Sequence, residues 1–145
     1  MSATKVQKEI QALSNRGRAH DLQKFFQTAP GQYGEGDVFL GISVPKIRKI
    51  AAEYSDLTFA ELEKLARSDF HEARLCSLVI LCNRYKKSRE RNQKKSIFDF
   101  YMKQVLGGRV NNWDLVDVSA PTIGQYLVES NNSMPILRKL SKSED

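Results

Sequence analysis

Phe70-His71-Glu72-Ala73-Arg74-Leu75-Cys76-Ser77-Leu78-Val79-Ile80-Leu81-Cys82-Asn83-Arg84-Tyr85 is apolar on more than one face when wound as a helix. Ala73, Cys76 and Ile80 form one row at helical spacing, and Leu75, Val79 and Cys82 form another. A helix apolar that far round must lie sandwiched between neighbours, so this stretch predicts an all-α stack.

The surrounding sequence keeps the same period. Val6, Ile10 and Leu13 mark a first helix, and Leu22, Phe25 and Phe26 a second. From Pro30-Gly31 through Gly34-Glu35-Gly36-Asp37 to Gly41 the chain is glycine-rich without the Gly-Lys-Ser/Thr ending of a phosphate loop, and reads as turns. Asp37 to Val44 is the one strand candidate and is too rich in glycine to form one. Ser43 caps a helix with Pro45 in its first turn, turning Ile47, Ile50 and Ala51 inward and Lys46, Arg48 and Lys49 outward. Thr58-x-x-Glu61 is a capping box for a helix with Phe59, Leu62, Leu65 and Ala66 on one side. Ile97, Phe98, Tyr101, Met102 and Val105 belong to a helix that ends at Gly107-Gly108, and a short last helix runs from Met134 to Leu140. Paired antiparallel helices over about 44–67, 70–106 and 112–140 approach the ~40-residue period of HEAT-type repeats.

A chain of 145 residues, 41% of them hydrophobic, buries a real core in one domain spanning 1–145. No apolar run approaches the ~20 residues of a membrane span, and Met1 to Ile10 lacks the apolar segment of a signal peptide. Cys76 and Cys82 point to different faces of one helix and His20 and His71 lie far apart, so neither a disulfide nor a metal site is expected. These features suit a reducing cytoplasm.

The net charge of +6 is concentrated centrally, with +1 over 1–40, +7 over 41–110 and −2 over 111–145. The densest run is Arg84, Lys86, Lys87, Arg89, Arg91, Lys94 and Lys95, offset by Glu90. Such a patch attracts polyanions, nucleic acid foremost, and equally suits a solvated turn between helices.

Val110-Asn111-Asn112-Trp113-Asp114-Leu115-Val116-Asp117-Val118-Ser119-Ala120-Pro121 holds the only tryptophan, with a carboxylate four residues after it. In a helix Trp113 and Asp117 share one face, a pairing that stability alone seldom explains. Two readings stand: a buried Trp113 beside an ordinary surface aspartate, or a functional pair. Asn111-x-x-Asp114 resembles a capping box, and Pro121 should kink or split the helix near Ser119.

Three segments taken together carry a resemblance: Tyr33-Gly34-Glu35-Gly36-Asp37 with Phe39-Leu40-Gly41-Ile42-Ser43-Val44-Pro45; His71-Glu72-Ala73-Arg74 leading to Arg84-Tyr85-Lys86-Lys87; and Val110 to Pro121. In this order the chain resembles, from about Val6 to Lys139, the DNA alkylation repair family of HEAT-like-repeat DNA glycosylases, the AlkD-like proteins. The resemblance implies an α–α superhelix with a concave DNA-binding face. It also implies hydrolysis of the N-glycosidic bond of purines alkylated at N3 or N7 in double-stranded DNA. By that resemblance Asp117 stabilises the sugar cation and places the water, and Trp113 packs on the sugar and backbone of the damaged nucleotide. Asn112 stands where the family often has a second aromatic, a departure that weakens substrate contact.

An alkylated purine already carries positive charge and departs neutral, so no general acid is needed, unlike ordinary glycosidases with two carboxylates. One carboxylate and one indole face suffice to stabilise the oxocarbenium-like sugar. Neither metal nor cofactor is required. Lys46, Arg48, Lys86, Lys87 and Arg109 are the candidates for holding backbone phosphates. The family normally continues beyond Ser141-Lys142-Ser143-Glu144-Asp145 with repeats that supply an arginine and a further aromatic, so the chain is expected to be the N-terminal part of the fold. A stack ended there exposes an apolar repeat face that invites self-association. A DNA-binding module without chemistry, recognising branched or distorted DNA, and a protein-interaction scaffold are the rival readings. The cellular location expected is cytoplasmic, at the nucleoid in a bacterium.

Overall fold

The computed structural model describes residues 1–32, 34–129 and 133–142. Among these the chain is all-α, with α1 (Ala3–Ala12), α2 (Arg16–Phe25), α3 (Val44–Glu53), α4 (Phe59–Ala66), α5 (His71–Lys87), α6 (Arg91–Leu106), α7 (Trp113–Ile123), α8 (Gln125–Glu129) and α9 (Ser133–Ser141). Tyr33, the first residue of the Tyr-Gly-Glu-Gly-Asp segment, and residues 143–145 lie outside the described residues. No described helix is long and apolar enough to cross a membrane. Two compact units divide the chain, Met1–Ile80 and Leu81–Asp145, and the boundary falls within α5. Every residue from His71 to Cys82 is buried, as the all-round apolar pattern of α5 requires.

In the first unit, α1 packs against both α3 and α4 through Ala3, Val6 and Ile10, all but inaccessible to solvent. Ile47, Ile50 and Ala51 of α3 and Leu62, Leu65 and Ala66 of α4 face the same interior. Leu13 does not extend the stripe of α1: it is the C-cap, past the last helical turn, and is exposed. Phe59, the first residue of α4, is also exposed. Helix α2 buries none of its residues: Phe25 is exposed, and Phe26, just beyond the helix, provides its attachment instead. The Phe26 ring stacks on Phe39 and His71, at centroid distances of 5.2 and 5.7 Å.

The Thr58 hydroxyl accepts the Glu61 N–H at 3.2 Å, the first half of the expected capping box. The reciprocal half goes elsewhere, because the Glu61 carboxylate accepts the Ala3 N–H at 2.7 Å and so caps α1. A 2.6 Å bond from Lys64 and then the Ala3 amide hold the Glu61 carboxyl below the usual carboxylate range.

The loop that read as turns is held by α5. The Glu72 carboxylate, itself buried, accepts the N–H groups of Leu40 at 2.9 Å, Gly41 at 2.9 Å and Ile42 at 3.4 Å. Asp37 is buried between Arg74, with which it forms an ion pair, and His71, whose Nδ1 lies 3.3 Å from the carboxylate. Gly41 has φ +81°, and a Cβ there would stand 2.2 Å from the Asn15 carbonyl, so only glycine fits against the start of α2. Because these amides turn to Glu72 rather than to a neighbouring strand, Asp37 to Val44 forms only an isolated bridge between Val38 and Phe70.

In the second unit, α6 packs on α7 and α8, which also pack on each other. Ile97, Phe98, Tyr101 and Gln104 form the buried face of α6, and the Tyr126 ring of α8 stacks on Phe98 at 4.6 Å. Cys76 and Cys82 are buried and form no disulfide, and burial pushes the Cys76 thiol up to about 12.

Glu72→Ala should lower unfolding free energy by at least about 3 kcal/mol in urea denaturation, because it strands buried amides. Glu72→Gln, which keeps one acceptor oxygen, should cost about half as much. Unfolding both equally would show that the carboxylate is not what holds the loop.

The Tyr54 hydroxyl donates to Glu9, which raises the phenol from its ordinary value of 10 to about 12. The neutral phenol is favoured in the folded state, so this stabilisation is complete below pH 10 and is lost as pH rises through about 12. Tyr54→Phe should therefore show a shallower fall in thermal midpoint across that window than the wild type.

Candidate active site

The approach to α7 is built by the end of α6. Gly107 is its C-cap, Gly108 follows at φ +71°, the Gly108 N–H donates to Val105 and the Arg109 N–H to Gln104. These two bonds make a Schellman motif, which requires the left-handed residue to be glycine and reverses the chain within a few residues. Arg109, half-buried, is thereby fixed in the turn before α7, followed by buried Val110.

The cap of α7 sits one residue later than the spacing suggested. Asn112, not Asn111, is the N-cap, and its carbonyl accepts the Val116 N–H at 3.1 Å. Its side chain makes no capping bond because it is buried in the protein. The Asp114 carboxylate instead accepts the adjacent Leu115 N–H at 2.9 Å. Asn112, the position where the family often has an aromatic, thus contributes nothing to the surface beside Trp113.

Trp113 opens α7 with 66% of its surface exposed, which overturns the reading of this indole as a core residue. Asp117, one turn on and on the same face, is exposed too, and among the described residues its carboxylate has no ion pair or side-chain hydrogen bond. The opposite face is anchored. Leu115, Ser119 and Ile123 are buried, Ser119 donates to the Leu115 carbonyl at 2.6 Å, and the Tyr101 hydroxyl lies 3.0 Å from the Ser119 hydroxyl. The Cys82 thiol donates to the Val118 carbonyl at 3.5 Å. A rigid helix therefore presents an indole and an anion outward.

Pro121 does not split the helix near Ser119: α7 runs on to Ile123 and ends at Gly124. A Cβ at Gly124 would stand 2.4 Å from the Ala120 carbonyl, so the break is set by glycine, the one residue that allows so close an approach. Pro121 nevertheless leaves a mark, since it has no N–H to offer the carbonyl four residues back, which is that of Asp117. The hydrogen-bond ladder is interrupted at the residue that carries the candidate carboxylate.

Lys86 and Lys87, exposed in the last turn of α5, and Arg109 belong to the same unit as Trp113 and Asp117. Lys46 and Arg48 are exposed on α3 of the first unit. The His71-Glu72-Ala73-Arg74 motif supplies the buried clamp on the 37–42 loop rather than reactive groups. The structure adds residues that spacing did not single out: Tyr101 and Ser119 behind α7, and Arg89, Arg91 and Lys94 around a cleft at the start of α6. The sequence showed Arg89, Arg91 and Lys94 as part of the dense basic run, but not their grouping around a cleft. No group of three or more His, Cys, Asp or Glu among the described residues could hold a metal ion.

Trp113→Ala should leave unfolding free energy within about 0.5 kcal/mol of wild type, as for an exposed site. Leu115→Ala, two residues on and fully buried, should cost about 2–5 kcal/mol. Similar losses from both, measured by chemical denaturation, would restore Trp113 to the core.

A family model described as DNA alkylation repair enzyme matches residues 6–145. No curated protein and no solved structure matches the chain. With that match running from Val6 through α7 to the last residue, the chain belongs to the family of DNA alkylation repair enzymes.

Proposed function

We propose that the protein is a DNA glycosylase that hydrolyses the N-glycosidic bond of N3- and N7-alkylated purines in duplex DNA. The observation that carries this reading is the exposed Trp113 indole with the exposed Asp117 carboxylate one turn further along an anchored helix. Neither group stabilises the fold where it stands, and together they fit a substrate that develops positive charge.

In the proposed reaction the bond between sugar C1′ and the purine nitrogen breaks, and its electron pair neutralises the charged base. The sugar is left oxocarbenium-like. Asp117 faces this cation, an interaction that strengthens as charge moves from base to sugar and so favours the transition state over the ground state. Water then adds to C1′ and loses its proton to Asp117 or to solvent. The face of Trp113 packs on the deoxyribose and adds cation–π attraction. Lys46, Arg48, Lys86, Lys87 and Arg109 hold backbone phosphates, giving affinity without sequence preference. Successive helix pairs form a HEAT-like superhelix whose concave face takes the duplex. The basic cleft at the start of α6 suits a non-catalytic DNA-binding protein equally well, and base release separates the two readings.

The test is single-turnover release of 7-methylguanine from methylated duplex DNA. Wild type should release base, while Asp117→Asn should be slowed at least about a hundredfold with duplex affinity unchanged or slightly higher. Binding without release by either protein would leave the non-catalytic reading in possession.

A further inference from the structure

The cleft at the start of α6 is not part of the face that carries Trp113 and Asp117. It encloses about 140 Å³ and is lined by Arg89, Arg91, Lys94, Tyr126 and Glu129, all within the second unit. Among the described residues neither Arg89 nor Arg91 has a carboxylate partner, whereas Lys94 lies 3.3 Å from Glu129. Helix α6 begins here at Glu90, whose side chain makes no capping bond and does not line the cleft, and its first turn holds no acidic residue, so its leading amides are not capped by a side chain. One wall is rigid, because Tyr126 is stacked on Phe98.

Tyr85 adds an independent sign. It is 2% exposed, and among the described residues its hydroxyl has no hydrogen-bond partner. The Lys94 ammonium lies 5.2 Å from the centre of its ring. Burial raises the phenol, and Glu129 and Tyr126 of the cleft raise it further, so the group beside the cleft is a neutral donor. A buried hydroxyl left unbonded is costly unless something accepts from it.

We infer that this cleft is a phosphoryl-oxyanion subsite, with Arg89 and Arg91 as its principal donors and Lys94 shared between the oxyanion and Glu129. A guanidinium fork matches two phosphate oxygens, and the cleft carries two positive charges in excess of its one carboxylate. Two sources supply that chemistry: a backbone phosphodiester of duplex DNA, or free phosphate. The first source rests on the proposed function. The sixteen residues of α6 span about 24 Å, and α7 starts just beyond the other end of α6. A duplex on Trp113 would meet the cleft at a different phosphate from those beside the damaged nucleotide.

The experiment uses undamaged duplex DNA, so it reads no base release and stands or falls apart from the glycosylase reading. Binding is measured between about 50 and 200 mM salt for wild type, for Arg89→Gln/Arg91→Gln, and for Lys8→Gln/Lys24→Gln as an equal-charge control. Thermal midpoints with and without inorganic phosphate are measured on the same proteins. A backbone-phosphate site predicts that the arginine pair lowers the slope of log K against log salt by about 1.8 and weakens binding about tenfold, with the control close to wild type. Glu129→Gln should then tighten binding. An unchanged slope, with phosphate raising the midpoint of wild type but not of the arginine variant, supports the subsite with free phosphate as its source. No effect of the arginine pair in either measurement overturns it.

Discussion

The carboxylate of Glu72 meets the N–H groups of Leu40, Gly41 and Ile42 at the point where α5 passes beneath the long loop of the first unit. Much of that unit depends on this contact. Leu40, held on its N–H side by Glu72, accepts the Asn15 N–H at 2.7 Å through its carbonyl, which positions the start of α2. One residue on, Gly41 lets the Asn15–Ala19 backbone approach too closely for any side chain. One residue before Glu72, His71 stacks on Phe39 at 4.3 Å and reaches Asp37, while its own N–H donates to the Val38 carbonyl. A helix that buries almost no apolar side chain, α2, is thus kept in place by a buried anion and an aromatic stack. Desolvating that anion is tolerable because several donors surround it.

The all-α architecture was legible because helical period is a local signal, and rows such as Ala73, Cys76 and Ile80 survive whatever packs on them. Glycine signals were also reliable where geometry leaves no alternative, as at Gly107-Gly108. What sequence spacing misassigned were side chains with two uses for one group. Glu61 matches a capping box, yet its carboxylate serves the first turn of a helix 58 residues away, a partner that local spacing cannot reveal. Asn111 and Asn112 are chemically interchangeable as caps, and only the burial of Asn112 decides between them. Phe25 and Phe26 fit the same stripe until the helix ends between them.

At the candidate site the sequence supplied the identities and the structure supplied their exposure. Asp117 and Trp113 stood out for composition and spacing, but a tryptophan in so apolar a segment reads equally well as core. Its exposure follows from helical phase: Leu115, Ser119 and Ile123 claim the inner face, which leaves Trp113 and Asp117 no place but outside. The hydroxyls of Tyr101 and Ser119 then fix that phase from behind, so α7 cannot rotate to bury its indole without breaking a buried polar network. The basic groups behave differently. Arg89, Arg91 and Lys94 belong to a charge run in which no spacing rule distinguishes a binding cleft from a solvated turn.

The clamps of the first unit also impose an order of events on the growing chain. The leading amide of α1 is satisfied by Glu61, and the amides at Leu40 to Ile42 by Glu72, so in both cases the acceptor is made after the donor. During vectorial synthesis the first forty or so residues emerge with helical propensity and no means of closing. They wait, with the Phe26 and Phe39 rings uncovered, until the start of α5 leaves the ribosome. The 37–42 loop therefore cannot be clamped before the first turn of α5, His71–Arg74, has been made.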